Sequence, residues 1–188
     1  MLKRITFLLL LWLATNLGAI AQTAFTDDFN AVTMSTNWWA GSTQYSLNQT
    51  GGVLKVGVNK FEGWKSFGVN LPVVTNLTSN PFVNIKIKAD KDLNLDVYLT
   101  DGASVNKNIK KRISRSDGFT NVCWDFTGVA GLDLTTITRL LFAVNGTGLT
   151  YVGNLQFEDF KIGTDAQKLS NYSGFSDQKV YQNSKKNL

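Results

Sequence analysis

Six side chains in this sequence are of the types that hold a flat, hydroxyl-rich molecule: Trp39, Trp64, Lys86, Asp96, Tyr98 and Asp125. A sugar ring presents a patch of C–H groups ringed by hydroxyls. An exposed aromatic ring covers the patch, and carboxylate, amide or ammonium groups satisfy the hydroxyls. In FEGWKSFGVNL (61–71), Phe67, Val69 and Leu71 alternate with Ser66, Gly68 and Asn70, and Trp64 falls in step with the polar set. Asp96 and Tyr98, Lys86, and Asp125 hold the polar phase of three further alternating segments. Trp38-Trp39 lies in the connection after the first strand, and adjacent residues of an extended chain point opposite ways, so one ring is expected on the core and the other exposed. The plainer reading of Trp64 and Tyr98 is that they cover a sheet edge or pack under a loop.

The elements that position these groups are strands. VLKVGVN (53–59), PFVNIKIKAD (81–90), LNLDVYLTD (93–101) and FTNVCWDFTG (119–128) each alternate apolar with polar residues, and QYSL, RLLFAVNG and LQFEDFKIG complete the set. Short alternating strands separated by turn signals predict an all-β, antiparallel two-sheet sandwich. Trp124 shares its phase with Val122 and Phe126 and is expected in the core. In LQFEDFKIG the alternation slips between Phe157 and Phe160, which a bulge at Glu158-Asp159 would explain. DLTTITRLL has room for one helical turn before its strand, capped by Asp133 or Thr135.

Composition narrows the chemistry. The 188 residues contain no histidine and one cysteine, Cys123, which removes Ser-His and Cys-His nucleophile pairs, His-containing metal sites and any internal disulfide. The formal net charge is +5. Lys3 and Arg4 belong to an expected leader, and residues 164–188 carry four lysines against two aspartates, which leaves +1 for residues 22–163. That is no field for nucleic acid. The basic run KNIKKRISR (107–115) lacks interleaved aromatics and is expected to be an edge strand protected by charge.

Residues 1–21 read as a secretory signal peptide, with Lys3-Arg4, an apolar run and Ala19-Ile20-Ala21. No later segment has the apolar length of a membrane span. Export to the medium or the cell surface is expected. Residues 22–163 make one domain and 164–188 a polar tail or linker.

The ordered set TDDFN, NWW, GGVLKV, GWKSFGVNL, NPFVNIKIKAD, LNLDVYLTD, DGFTNVCWDFTG, LDLTTITRLLFAVN and GNLQFEDFKIG resembles the carbohydrate-binding-module-like jelly rolls of the galactose-binding-domain-like fold, attached to secreted bacterial polysaccharide-degrading proteins. The resemblance spans about residues 25–163. It implies a two-sheet sandwich with a sugar-binding face or loop edge, often with a structural calcium. In such folds the first and last strands meet, and the second acid of the final strand commonly ligates the ion. That points to Asp159, with Asp28 and Asn30 as partners, although an acid is usual where Asn30 stands. Separately, KVYQNSKKNL resembles the opening of a type IX secretion sorting domain, with Gln182 and Ser184 in place of its two prolines.

The expected function is a non-catalytic, monomeric module that binds a poly- or oligosaccharide by aromatic stacking and hydrogen bonds. The alternatives are a structural or adhesive module without a sugar site, and a glycosidase working with carboxylates alone. The last needs two facing acids, for which Asp96 and Asp125 are the pair.

Overall fold

The chain is described by a computed structural model over residues 25–61, 63–145 and 150–163. The expected signal peptide, the expected polar tail and the stretch resembling a sorting domain lie outside the described residues. Eleven strands follow one another: β1 (Phe25–Asp27), β2 (Trp38–Ala40), β3 (Tyr45–Thr50), β4 (Val53–Lys60), β5 (Phe67–Thr75), β6 (Phe82–Ala89), β7 (Leu93–Thr100), β8 (Asn106–Ile113), β9 (Thr120–Asp125), β10 (Ile137–Val144) and β11 (Tyr151–Ile162). All pairings are antiparallel. One sheet runs β3-β4-β11-β6-β9, with β1 also on β11. The other runs β2-β5-β10-β7-β8. The expected all-β two-sheet sandwich is therefore the fold observed.

Strand alternation explains the core. On β4, Leu54, Val56 and Val58 are buried; on β6, Val83, Ile85, Ile87 and Ala89; on β7, Leu93, Leu95, Val97 and Leu99. These stripes face one another between the sheets, as sandwich packing requires. Aromatic rings join the two layers. Phe142 of β10 stacks on Phe67 of β5 with centroids 5.1 Å apart. Across the gap it meets Phe157 at 5.5 Å and Phe160 at 6.3 Å, both from β11. Trp38 lies 6.0 Å from the same ring, and Trp124 is fully buried as its phase indicates.

The slip in β11 is real. Its pairing with β6 shifts register between Glu158 and Lys161, and Asp159 has φ 48°, a left-handed conformation that a bulged residue adopts. The bulge brings Phe157 and Phe160, three positions apart, to the same side, and Leu155, Phe157, Phe160 and Ile162 are all fully buried. β4 pairs with β11 over Tyr151–Phe157, and β1 pairs with it over Phe160–Ile162.

Three local expectations change. Residues 61–71 are not one strand: β5 begins at Phe67, and Gly63, with φ 68°, turns the chain before it, so Trp64 belongs to the β4–β5 connection. Trp38-Trp39 is not connection but a short edge strand paired with β5. No helix forms before β10 among the described residues. Instead Asp133 closes a turn, its Oδ1 accepting from the Thr135 amide at 2.9 Å. The basic run is edge strand β8, as expected.

Truncating Phe142 to Ala should cost about 3–5 kcal/mol in chemical denaturation, because it empties the ring cluster that joins the sheets. Val73→Ala, at a residue 64% exposed, should move stability by less than about 0.5 kcal/mol.

Candidate functional site

Pairing register fixes which side chains share the outer face of the β2-β5-β10-β7-β8 sheet. Trp39 pairs with Gly68, Gly68 with Leu141, Leu141 with Tyr98 and Tyr98 with Asn108. Cross-strand partners point to the same side of a sheet, so these five residues form a row across all five strands. A neighbouring row holds Asn70, Arg139, Thr100 and Asn106. On the opposite flank of the first row lie Ala143, Asp96 and Lys110.

Trp39 lies against the sheet because the positions beneath it have no side chains. A Cβ on Gly68 would come within 3.1 Å of Trp39 Cζ2, and one on Gly41 within 2.8 Å of Trp39 Cζ3. Its indole Nε1 donates to Asn70 Oδ1 at 3.2 Å, which fixes the ring's orientation. Trp38, one residue earlier, points into the core, and its Nε1 donates to Asp27 Oδ2 at 2.8 Å. The expected division of labour between the adjacent tryptophans is observed.

Trp64 reaches this face from its loop. It is 41% exposed, meets Tyr98 edge-on with centroids 5.7 Å apart, and donates from Nε1 to the Tyr98 hydroxyl at 3.3 Å. Burial pushes the Tyr98 phenol above its ordinary range, partly offset by the Trp64 hydrogen bond and reinforced by the Asp96 charge. Tyr98 is therefore a neutral hydroxyl at physiological pH. Leu141, 5% exposed but outside the central core cluster, lies on this outer face.

Asp96 belongs to the same face but is only 2% exposed. Its Oδ1 accepts from Asn108 Nδ2 at 2.8 Å and lies 3.8 Å from Lys110 Nζ. Its buried Oδ2 has no hydrogen-bond partner among the described residues. Burial raises the carboxyl's pKa, opposed first by Lys110, then by the Asn108 bond and by Lys60. Lys60, fully buried at the end of β4, has its own pKa lowered by burial and pulled back by Asp96. Asp96 is thus a support beneath the surface rather than a group that a ligand meets.

The structure divides the six sequence candidates. Trp39, Trp64, Asp96 and Tyr98 come together, whereas Lys86 and Asp125 lie on β6 and β9 of the other sheet, where Lys86 pairs with Asn121 and Asp125 with Phe82. Alternation gave each strand its outward set, but two sheets have two outer faces. The same separation removes the Asp96–Asp125 acid pair, since carboxyls on opposite sheets cannot flank one glycosidic bond. Arg139 and Asn108 were not singled out from sequence. Their only signal is the outward phase of β10 and β8, and it acquires meaning once the strand order is known. Cys123, half-buried on β9, has its thiol raised by burial, away from the reactive thiolate.

The residues proposed for a cation line one cleft only in part: Asp28 on one wall and Asp159 on the other. Asp28 Oδ1 accepts from the Asn30 amide at 3.0 Å. The Asp159 carboxylate is paired with Lys86 at 2.5 Å, with Lys161 4.0 Å away. Two ammonium groups stand where a calcium ion would need the carboxylate for itself, and among the described residues no three acidic, cysteine or histidine side chains form a metal cluster. Asp159 in this arrangement does not fit a calcium ligand.

No protein-family model matches the chain, and no curated protein matches it. Solved structures do. A family 29 carbohydrate-binding module complexed with cellulohexaose has a TM-score of 0.51 at 15% identity, covering 75% of this chain and 92% of that one. The crystal structure of an agarase gives 0.57 at 10% identity over 72% of this chain and 25% of the agarase. An exo-β-agarase gives 0.57 at 13% identity, over 72% and 24%. This chain thus spans about a quarter of each agarase. At such identities the likeness fixes the architecture: a carbohydrate-binding-module-like β-sandwich.

Two measurements check the cation cleft. Melting temperature should be the same in millimolar calcium and in chelator. Lys86 holds the Asp159 carboxyl below its ordinary 3.8, so the pair adds stability above that pH and loses it as pH falls below. Lys86→Ala should cost less than about 1 kcal/mol at pH 7, given the exposure of both groups, and the difference should fade in acid.

Proposed function

We propose that the protein is a non-catalytic carbohydrate-binding module whose site is the outer face of the β2-β5-β10-β7-β8 sheet. The observation that carries the reading is the convergence on one face of Trp39, Trp64 and Tyr98 with the hydrogen-bonding groups of Asn70, Asn108, Lys110 and Arg139. Strands lie about 4.8 Å apart, so Trp39 on β2 and Tyr98 on β7 are roughly 14 Å apart across the sheet. Two aromatic stations at that separation suit an extended oligosaccharide better than a single ring. Sugar C–H faces would stack on the indoles, and hydroxyls would meet the amides and cations. No bond is made or broken.

The fold likeness supports this reading, since the module of family 29 was solved with cellulohexaose. Export directed by residues 1–21, secretion or display at the cell surface, and a monomeric state belong to the same proposal. A structural or adhesive module remains the competing reading. It is favoured by the Trp64–Tyr98 contact, in which each ring covers part of the other.

Isothermal titration against soluble glycans, with pull-down on insoluble ones, separates the two. Trp39→Ala and Trp64→Ala should each weaken binding by about tenfold or more, the scale of an aromatic anchor. Asp125→Ala, on the other sheet, should leave it unchanged. A folded protein that binds no glycan would overturn the reading.

A further inference from the structure

The charges on the proposed binding face are not balanced. On the five strands, the residues that register sends outward around the aromatics are Asn70 on β5, Arg139 on β10, Asn94, Asp96, Tyr98 and Thr100 on β7, and Asn106, Asn108, Lys110 and Arg112 on β8. Asp96 is the only acid among them, and at 2% exposure it cannot present its charge. The cations do reach the surface. Lys110 lies 3.8 Å from Asp96 Oδ1, yet its side chain is 50% exposed, so the one acid of the face is set against Lys110 and none against Arg139. Arg139 is half-buried and anchored by its Nε, which donates to Thr100 Oγ1 at 3.2 Å, leaving the rest of the guanidinium fork for another acceptor. Arg112 is held by Asp92 at 2.8 Å and is not counted.

The other outer face is different. There Lys86 and Lys161 are matched by Asp159, and Glu158 and Asp125 add further acid opposite Lys86 and beside β6. Lys55 and Lys88 also point outward there and join no ion pair among the described residues, so cations stand on both faces; the aromatic face differs in setting Arg139 in the row beside its rings. Lys107 and Lys111 of the edge strand β8 alternate with Asn108 and Lys110 and point to the other side, paired with Leu99 and Leu95.

We propose that the glycan taken on this face is anionic, a chain bearing uronate carboxylates or sulfate esters. Arg139 and Lys110 meet its charged groups while Trp39 and the Trp64–Tyr98 pair cover its C–H faces. Guanidinium is suited to both oxyanions, since its planar fork matches the two oxygens of a carboxylate or a sulfate. A neutral chain would leave those cations facing only hydroxyls, without the stronger charge-assisted bonds. This inference rests on the binding function proposed above and names its ligand class.

The test titrates the full chain with four oligosaccharides of similar length: a galacturonate hexamer, a sulfated carrageenan oligomer, neutral agarohexaose and cellohexaose. At least one anionic chain should bind about tenfold tighter than the neutral ones, a difference of about 1.4 kcal/mol. Its affinity should fall several-fold between 50 and 500 mM NaCl. Arg139→Gln should remove about tenfold of the anionic binding while leaving the melting temperature within a degree or two. The galacturonate and carrageenan arms tell carboxylate from sulfate. Equal or tighter, salt-insensitive binding of a neutral chain would overturn the inference and leave the sugar-binding function standing. No binding of any chain would overturn both. Anionic binding that survives Trp39→Ala and Arg139→Gln but is lost in Lys107→Ala/Lys111→Ala would assign it to the edge strand alone, and would also overturn the inference.

Discussion

Everything in this sandwich depends on one strand burying two phases of its own side chains. β11 lies at the middle of its sheet, with β6 on one side and β4 then β1 on the other. Strict alternation would send Phe160 and Ile162 to solvent, because Leu155 and Phe157 already define the inward phase. The left-handed Asp159 resets the phase, and both rings of the pair reach Phe142 of the opposite sheet. Without the reset, the seam between the sheets would lose Phe160, the ring that also packs on Phe25 and Trp38. A polar residue suits the bulge because it tolerates positive φ and because its carboxylate there finds Lys86.

That seam also determines what the two outer faces can be. With the inward stripes occupied by aliphatic and aromatic residues, every functional group must lie on an outer face or in a loop. One outer face sets Lys86 and Lys161 against Asp159. The other buries its one acid, Asp96, beside Asn108 and Lys110 and carries Trp39, Tyr98 and Arg139 in neighbouring rows. Lys60 is part of that arrangement from a distance: it arises on the first sheet, yet its charge opposes the burial of Asp96 on the second. The two sheets are thus coupled electrostatically at one end as well as packed at the centre.

Much of this could be read from the sequence because strands have the simplest of periodicities. The alternating segments of β4, β6, β7 and β9, the core position of Trp124, the slip at Glu158-Asp159 and the charged edge strand all follow from local phase. Strand order does not, since it is decided by pairings between residues as distant as Trp39 and Gly68. Lys86 and Asp125 therefore carried the same outward signal as Asp96 and Tyr98. Trp64 misled for a local reason, Gly63, whose positive φ detaches it from β5. Asp96 misled for a long-range one, because an outward strand position is normally wet and this one is only 2% exposed, held by Asn108 and Lys110 of the neighbouring strand. Arg139 was hidden by its ordinary appearance: one arginine at the start of an apolar strand, made conspicuous only by its neighbours.

The indole of Trp39 rests on two residues that have nothing to offer but their smallness. Gly41 and Gly68 make no hydrogen bond from a side chain and would contribute no atom to a ligand, yet a methyl group on either would press first on a neighbouring carbonyl oxygen, of Ser66 or Leu140, and then on the ring. Part of the proposed recognition surface is thus written in side chains that are missing. A survey of which substitutions the fold accepts would find two intolerant glycines under a more permissive aromatic, since Tyr or Phe can still lie flat on that bare patch while Ala beneath it cannot be cleared. Natural variation around this ring would then be expected above the sheet, in which ring is used, and not below it.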